Sequence, residues 1–200
     1  MSKREKLLST LIVFLTIAEL LLVLLSWILS SMMADGVRSL LSSEGIRWFF
    51  GQYVQWLQSP FLIYLLLLSL AVGIVIRSGI LRKPLVYREN MARKVSLASM
   101  FCYLAVLGAL TMIPHAILLS ATGALFPSPF SKALVPLVAF GLIFVSLVYG
   151  LLAHSFTSVK SVIDASTWGL AKAAPLFLLY VFFIQFYESL CYVFILNTYF

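Results

Sequence analysis

The chain has 200 residues, of which 62% are hydrophobic and 10% are charged, and its mean hydropathy is +1.07. Soluble domains carry about 25% charged residues, so this composition excludes a water-soluble domain and predicts a helical membrane protein. The formal net charge of +7 does not indicate nucleic-acid binding, because the basic residues lie in short loops between apolar runs, where such residues set membrane topology.

Five apolar runs are long enough to cross a bilayer as helices, at about 7–29, 59–76, 95–119, 133–153 and 175–196. The first follows the basic start SKREK, but it is longer than the apolar core of a signal peptide and no A-x-A cleavage site follows it. We therefore expect an uncleaved anchor. The prediction is an all-α, polytopic membrane protein with about five transmembrane helices in a single membrane domain, 1–200.

The segment 37–58, between the first two runs, has the pattern of an amphipathic helix. Apolar residues recur at helical spacing from Ile46 to Leu57, and Arg47 and three glutamines occupy the other face. We expect either a helix in the outer membrane interface or one packed on the ends of the bundle. The 154–174 loop has a weaker form of this pattern and predicts an inner interfacial helix.

Alternate loops differ strongly in positive charge. Of the 14 Lys and Arg residues, 11 lie before the first run or in the second and fourth loops, and the first and third loops hold the other 3. Lys and Arg are enriched in cytoplasmic loops. The asymmetry predicts a multi-pass protein of the plasma (inner) membrane with a cytoplasmic N-terminus and an external C-terminus.

Two acidic residues, Glu19 and Glu188, lie near the middle of the first and fifth runs. No apolar run contains a Lys or Arg to pair with them, and an isolated charge at the bilayer centre costs about 2.5–3.5 kcal/mol. We expect neutral carboxyls that hydrogen-bond to Gln185, Ser26, Thr16 or a main-chain carbonyl. Gln185 shares the helix face of Glu188, three residues before it.

These acids have two interpretations. One is a proton-linked site or a polar cavity, and the other is a helix contact held by polar side chains, worth about 0.6–2 kcal/mol. In the third run, His115 follows Pro114, which kinks a helix, so this histidine either belongs to a gate or caps freed carbonyls. The candidate intramembrane polar site is therefore Glu188, Gln185, Glu19 and His115.

Motifs for catalysis are missing from the sequence. It contains no GxSxG, HExxH, Walker or GxGxxG motif and no Cys/His cluster with metal-binding spacing. We therefore expect no enzyme activity, no cofactor and no metal site.

Two stretches follow the motif order of a known family. One is VRSLLSSEGIRWFFGQYVQW at 37–56, with AVGIVIRSGI at 71–80, and the other, 118–186, contains LLSATG, SPF, YG and FIQF in order. Together they resemble the AbgT family, membrane proteins associated with p-aminobenzoyl-glutamate uptake and sulfonamide-type efflux. The resemblance implies a transporter fold. It also implies that Gln185 and Glu188 follow the start of a helix that breaks at the substrate cavity in the family.

The chain resembles a shortened form of this family. Two helical hairpins that form the solute and cation site in the family, one with a signature like SNxASDAGY, have no counterpart here. No family binding residue can therefore be assigned to a position of this chain.

Two functional hypotheses remain open. The first is a transporter, working as an oligomer, that moves a small organic anion or drug-like solute coupled to protons or cations. The alternative is a transporter-derived accessory or structural subunit of a larger membrane complex, without transport activity of its own. The expected partners are the lipid bilayer and either further copies of the chain or another membrane protein.

Overall fold

The computed structural model describes residues 3–34, 36–112 and 129–195. Within these ranges the chain forms six α-helices and no strand: α1 (Lys3–Ser31), α2 (Ser43–Leu57), α3 (Pro60–Ser78), α4 (Tyr87–Met112), α5 (Pro129–Leu152) and α6 (Val159–Val193). All of these except α2 are long and apolar enough to cross a membrane. The predicted all-α fold with five candidate spans is confirmed.

Helix α6 differs from the sequence-based expectation. The segment assigned to an inner interfacial helix is the first half of α6, which continues through Pro175. At ~1.5 Å per residue its 35 residues make a helix about 52 Å long, whereas the hydrocarbon core of a bilayer is about 30 Å thick. Part of α6 therefore extends beyond the hydrocarbon region.

Helix α2 is shorter than the predicted 37–58 because Ser42 caps its N-terminus. The Ser42 hydroxyl accepts a hydrogen bond from the Gly45 N–H at 3.0 Å, which satisfies a donor that the first helical turn leaves free. On the outer side of the helix Ile46, Phe50 and Val54 are exposed. Such an exposed apolar stripe is typical of a helix in a membrane interface.

The described residues form two compact units, and α3 and α6 each contribute to both. Unit 1 consists of Met1–Ile63 and Ala173–Phe200. Its core is the contact of Leu22 in α1 with Leu40 in the loop before α2 and with Val193 at the end of α6. The Arg38 N–H donates to the Val193 carbonyl at 3.0 Å, which ties this loop to the end of α6.

Unit 2 is Tyr64–Lys172. Its α4 and α5 are antiparallel, as shown by three α4 side chains that donate to carbonyls at or just after α5: Arg88 to Ala153 at 3.0 Å, Ser96 to Val145 at 3.3 Å and Tyr103 to Leu137 at 2.8 Å.

Helices α3 and α6 cross at Gly73 and Gly169, where a Cβ added to Gly73 would lie 2.8 Å from the Gly169 Cα. Only glycine permits such a close backbone approach.

The turn between α5 and α6 closes unit 2. His154 has a φ of 57° and ends α5 in the left-handed region. The Phe156 N–H then donates to the Gly150 carbonyl at 3.0 Å, and the Phe156 ring lies against Gly150. Phe156 also packs with Ile74 and Ala165 in the core of this unit, so the turn fixes the start of α6 beside α3.

Candidate functional site

The polar site of unit 1 lies where α1 meets the second half of α6. The Ser189 hydroxyl donates to Oε1 of Glu19 at 2.7 Å, and the Gln185 side chain lies near the same carboxyl. Gln185 and Ser189 are four residues apart and therefore share one face of α6. Ser189 is fully buried, so this contact is internal to the bundle.

The second carboxyl oxygen of Glu19, Oε2, is buried and makes no hydrogen bond to the described residues. An ionised Oε2 would need a donor, and a protonated Oε2 would need an acceptor, because a buried polar atom without a hydrogen bond costs free energy in either state. The geometry therefore leaves one open position at this oxygen for a proton, a cation, a water molecule or a polar group of a solute.

Glu188 lies immediately before Ser189 and is also buried, with 8% of its surface exposed. Of the predicted residues, Glu19 and Gln185 thus lie close together, whereas no contact within the described residues joins the Glu188 carboxyl to Glu19. The fourth, His115, and the preceding Pro114 lie outside the described residues.

Two of the alternative hydrogen-bond partners expected for the carboxyls, Thr16 and Ser26, are bonded elsewhere, whereas a third, Gln185, lies near Glu19. The Thr16 hydroxyl donates to the Ile12 carbonyl at 2.9 Å, within its own helix. The Ser26 hydroxyl donates to the Val23 carbonyl at 2.8 Å and accepts from the Leu40 N–H at 3.2 Å. Both hydroxyls are therefore engaged away from Glu19.

Ser189 is the site residue that sequence reasoning missed. It lies four residues after Gln185, and extending the helix-face count by one turn identifies it. A serine in a membrane helix often bonds only to its own backbone, so the residue type alone does not indicate a contact with another helix.

An apolar cluster lies one helical turn beyond the polar site. Leu22 lies three residues after Glu19, and Val193 lies four after Ser189, so both occupy the next helical turn. Beyond them Trp48 of α2 stacks on Tyr192 with ring centroids 4.1 Å apart. The next helical turn on this side of the carboxyl is therefore occupied by packed apolar side chains.

A cavity of about 440 Å³ in unit 2 has a different character. It is an open groove between the end of α3 and helices α4 and α5, lined almost entirely by apolar side chains such as Leu104, Leu134 and Val138. The Tyr103 hydroxyl at its wall is already bonded to the Leu137 carbonyl. This groove accommodates hydrocarbon and does not provide a site for a charged solute.

Comparison with known proteins gives one informative match. No protein-family model and no curated protein match the chain. The crystal structure of the YdaH transporter of Alcanivorax borkumensis matches with a TM-score of 0.79 and 16% sequence identity, over 91% of this chain and 70% of that one. YdaH is an AbgT-family transporter, so the resemblance predicted from the motifs is confirmed at the level of the fold, and the coverage agrees with a shortened form. The chain is a multi-pass helical membrane protein with the fold of a transporter.

Proposed function

We propose that the chain is a reduced transporter that moves a small organic anion or drug-like solute coupled to protons or cations, with Glu19 as the coupling group. The observation that carries this proposal is the buried Oε2 of Glu19, which makes no hydrogen bond to the described residues even though Gln185 lies near the carboxyl, while Oε1 is held by Ser189. A carboxyl used only to join two helices would be stabilised by bonds to both oxygens.

The chemistry of coupling follows from this geometry. Ser189 holds the carboxyl in one orientation, so that a proton or cation arriving at Oε2 meets a fixed oxygen. Binding there neutralises the charge, and a neutral carboxyl crosses a low-dielectric region at much lower cost than a carboxylate. Gln185, which lies near this carboxyl, supplies further polar atoms for the solute.

Movement of the site also has a structural basis. Pro175 lies inside α6, ten residues before Gln185. It has no N–H for the carbonyl four residues earlier, and proline loosens a helix at this point. Bending there would carry Gln185, Glu188 and Ser189 relative to the first half of α6, as a carrier requires.

The orientation follows from charge. We place the N-terminus on the cytoplasmic side of the plasma (inner) membrane. The segment before the first apolar run and the second and fourth loops together hold 11 of the 14 Lys and Arg residues, and such residues are enriched in cytoplasmic loops.

Transport by the purified chain tests the proposal. Proteoliposomes would be loaded to give either a pH gradient or a sodium gradient, and uptake of labelled p-aminobenzoyl-glutamate and of a labelled sulfonamide would be followed. We expect gradient-driven uptake of one solute above that of protein-free liposomes, and a loss of about tenfold or more in Glu19→Gln. Glu44→Gln, at an acid in the first turn of α2, is the matched control and should transport like the wild type.

Uptake that is the same in Glu19→Gln and in the wild type would exclude Glu19 as the coupling group. If the wild type took up neither solute, with the pH gradient or with the sodium gradient, transport of these solute classes would be rejected.

The apolar groove of unit 2 favours a second candidate function, that of an accessory subunit. It is open and apolar, so side chains from a helix of another membrane protein would fit its lining. Gentle detergent extraction followed by native mass determination separates the two functions. A homo-oligomer supports the transporter, whereas a stoichiometric foreign membrane protein supports the subunit.

A further inference from the structure

Two cations of unit 2 converge on one indole ring. The Arg77 guanidinium carbon lies 5.2 Å from the ring centroid of Trp168, and Nζ of Lys172 lies 5.9 Å from the same centroid. Arg77 and Lys172 are exposed, and Trp168 is half-buried. Both positive groups are therefore available to a ligand from outside the protein.

The backbone fixes this arrangement. Arg77 lies one turn after Gly73 on α3, and Trp168 directly precedes Gly169 on α6. Because the two helix backbones are in contact at these glycines, the side chains of Arg77 and Trp168 are held close to each other. Lys172 extends back over Trp168 from the next turn of α6, which is the direction that helical side chains take.

The surroundings are strongly basic. Arg88, at the start of α4, donates to the carbonyl of Ala153 at the end of α5, and Phe156 packs against Ile74 near the end of α3. These contacts bring to one end of unit 2 the basic residues Arg77, Arg82, Lys83, Arg88, Arg93, Lys94 and Lys160. We call this the basic end.

We propose that Arg77, Trp168 and Lys172 form a binding site for the phosphate of an anionic phospholipid headgroup at the basic end. Guanidinium binds phosphate through two parallel hydrogen bonds, and the lysine adds a point charge. Tryptophan side chains prefer the depth of the headgroups, and basic pockets between membrane helices take up anionic lipids. Exposed Ile76 and Ile163 offer apolar surface to the acyl chains.

The test is a lipid titration of the purified chain in detergent. The midpoint of thermal unfolding, Tm, would be followed with phosphatidylglycerol, with neutral phosphatidylcholine and with inorganic phosphate. We expect Tm to rise with phosphatidylglycerol alone. In Arg77→Gln/Lys172→Gln the lipid concentration needed for half of this rise should increase about ten- to thirtyfold, since each cation near a membrane surface contributes about a factor of five.

Arg93→Gln/Lys94→Gln is the matched control, because it removes the same charge from exposed positions at the basic end. An equal weakening in this control would overturn the proposal in favour of diffuse electrostatic attraction. An equal response to phosphatidylcholine would overturn it as well, and competition by millimolar inorganic phosphate would show a site for free phosphate instead.

A second measurement covers the case in which the double variant folds poorly. Arg77→Lys keeps the charge but removes the planar fork. The amount of phosphatidylglycerol that copurifies from native membranes, relative to neutral lipid, should fall in this variant and stay at the wild-type level in Arg93→Lys. Unchanged copurification in Arg77→Lys contradicts the bidentate contact.

Discussion

The two halves of α6 meet their neighbours in opposite ways. In unit 2 its first half touches α3 at Gly169 and Gly73, where the backbones are in contact. In unit 1 its second half meets α1 through the hydrogen bond of Ser189 to Oε1 of Glu19, and Oε2 makes no hydrogen bond to the residues that the structure describes. In lipid the hydrophobic effect does not drive helices together, so either close packing or hydrogen bonding must do so. The glycine contact is closely packed and suits a rigid element. The polar contact leaves one carboxyl oxygen without a hydrogen bond to the described residues, which suits a site that binds a ligand and moves.

The largest effect is expected at the glycine contact. In Gly169→Ala the new Cβ would collide with the Ser69 carbonyl and with the backbone of Gly73, so the helices must separate. We expect the free energy of unfolding to fall by about 2–3 kcal/mol, measured by denaturation in mixed detergent.

Gly108→Ala is the control for this change. No described residue lies within 4 Å of a Cβ added at this position in α4, and alanine favours a helix by up to about 1 kcal/mol over glycine. If Gly169→Ala were as stable as Gly108→Ala, the result would contradict the close backbone approach of α3 and α6 at Gly73 and Gly169.

A smaller effect is expected at the polar contact. Ser189→Ala removes the donor to Oε1 of Glu19, and we expect a loss of about 1–2 kcal/mol in the free energy of unfolding. Ser99→Ala is the matched control, because the Ser99 hydroxyl donates only to the carbonyl of Ser96 in its own helix. A double-mutant cycle of Ser189→Ala with Glu19→Gln should show coupling of about 0.6–1.7 kcal/mol, and zero coupling would exclude the bond.

A weaker polar contact in unit 2 provides a comparison. Pro136 has no N–H, so the carbonyl of Lys132 lacks its helical donor, and the Tyr64 hydroxyl donates to it at 3.1 Å. Tyr64→Phe should cost about 0.5–1.5 kcal/mol in the free energy of unfolding. In a Pro136→Ala background, where the helical N–H returns, the cost should become smaller. An equal cost in both backgrounds would show that the freed carbonyl is not the reason for the contact.

The smallest effect is expected at Glu188. A buried carboxyl in its neutral form is close in shape and hydrogen bonding to glutamine, so Glu188→Gln should change the free energy of unfolding by less than about 0.5 kcal/mol. The same denaturation assay measures this. A loss of several kcal/mol would show that the carboxyl is ionised and paired.

Much of the candidate site was predictable from helical periodicity. Glu19, Gln185 and Glu188 stand out because charged or amide side chains are costly in an apolar run, and counting along the helix indicates their depth. The hydroxyls of Thr16 and Ser26, two of the alternative partners expected for the carboxyls, donate to carbonyls of their own helix, because a sequence does not show which carbonyl a short side chain reaches. The pairing of Ser189 with Glu19 joins residues 170 positions apart, beyond the range of any local pattern.

The sequence by itself determined that this protein is an all-α membrane protein with five candidate spans, because in hydrocarbon every backbone donor and acceptor must be satisfied within a helix. It also determined where the unusual polar residues lie along those helices. Only the tertiary structure decided which helices meet, that α6 is continuous through Pro175, and that one oxygen of Glu19 is bonded while the other is left open. These outcomes depend on the close approach of backbones at Gly73 and Gly169 and on side-chain geometry between distant helices, which residue spacing does not encode.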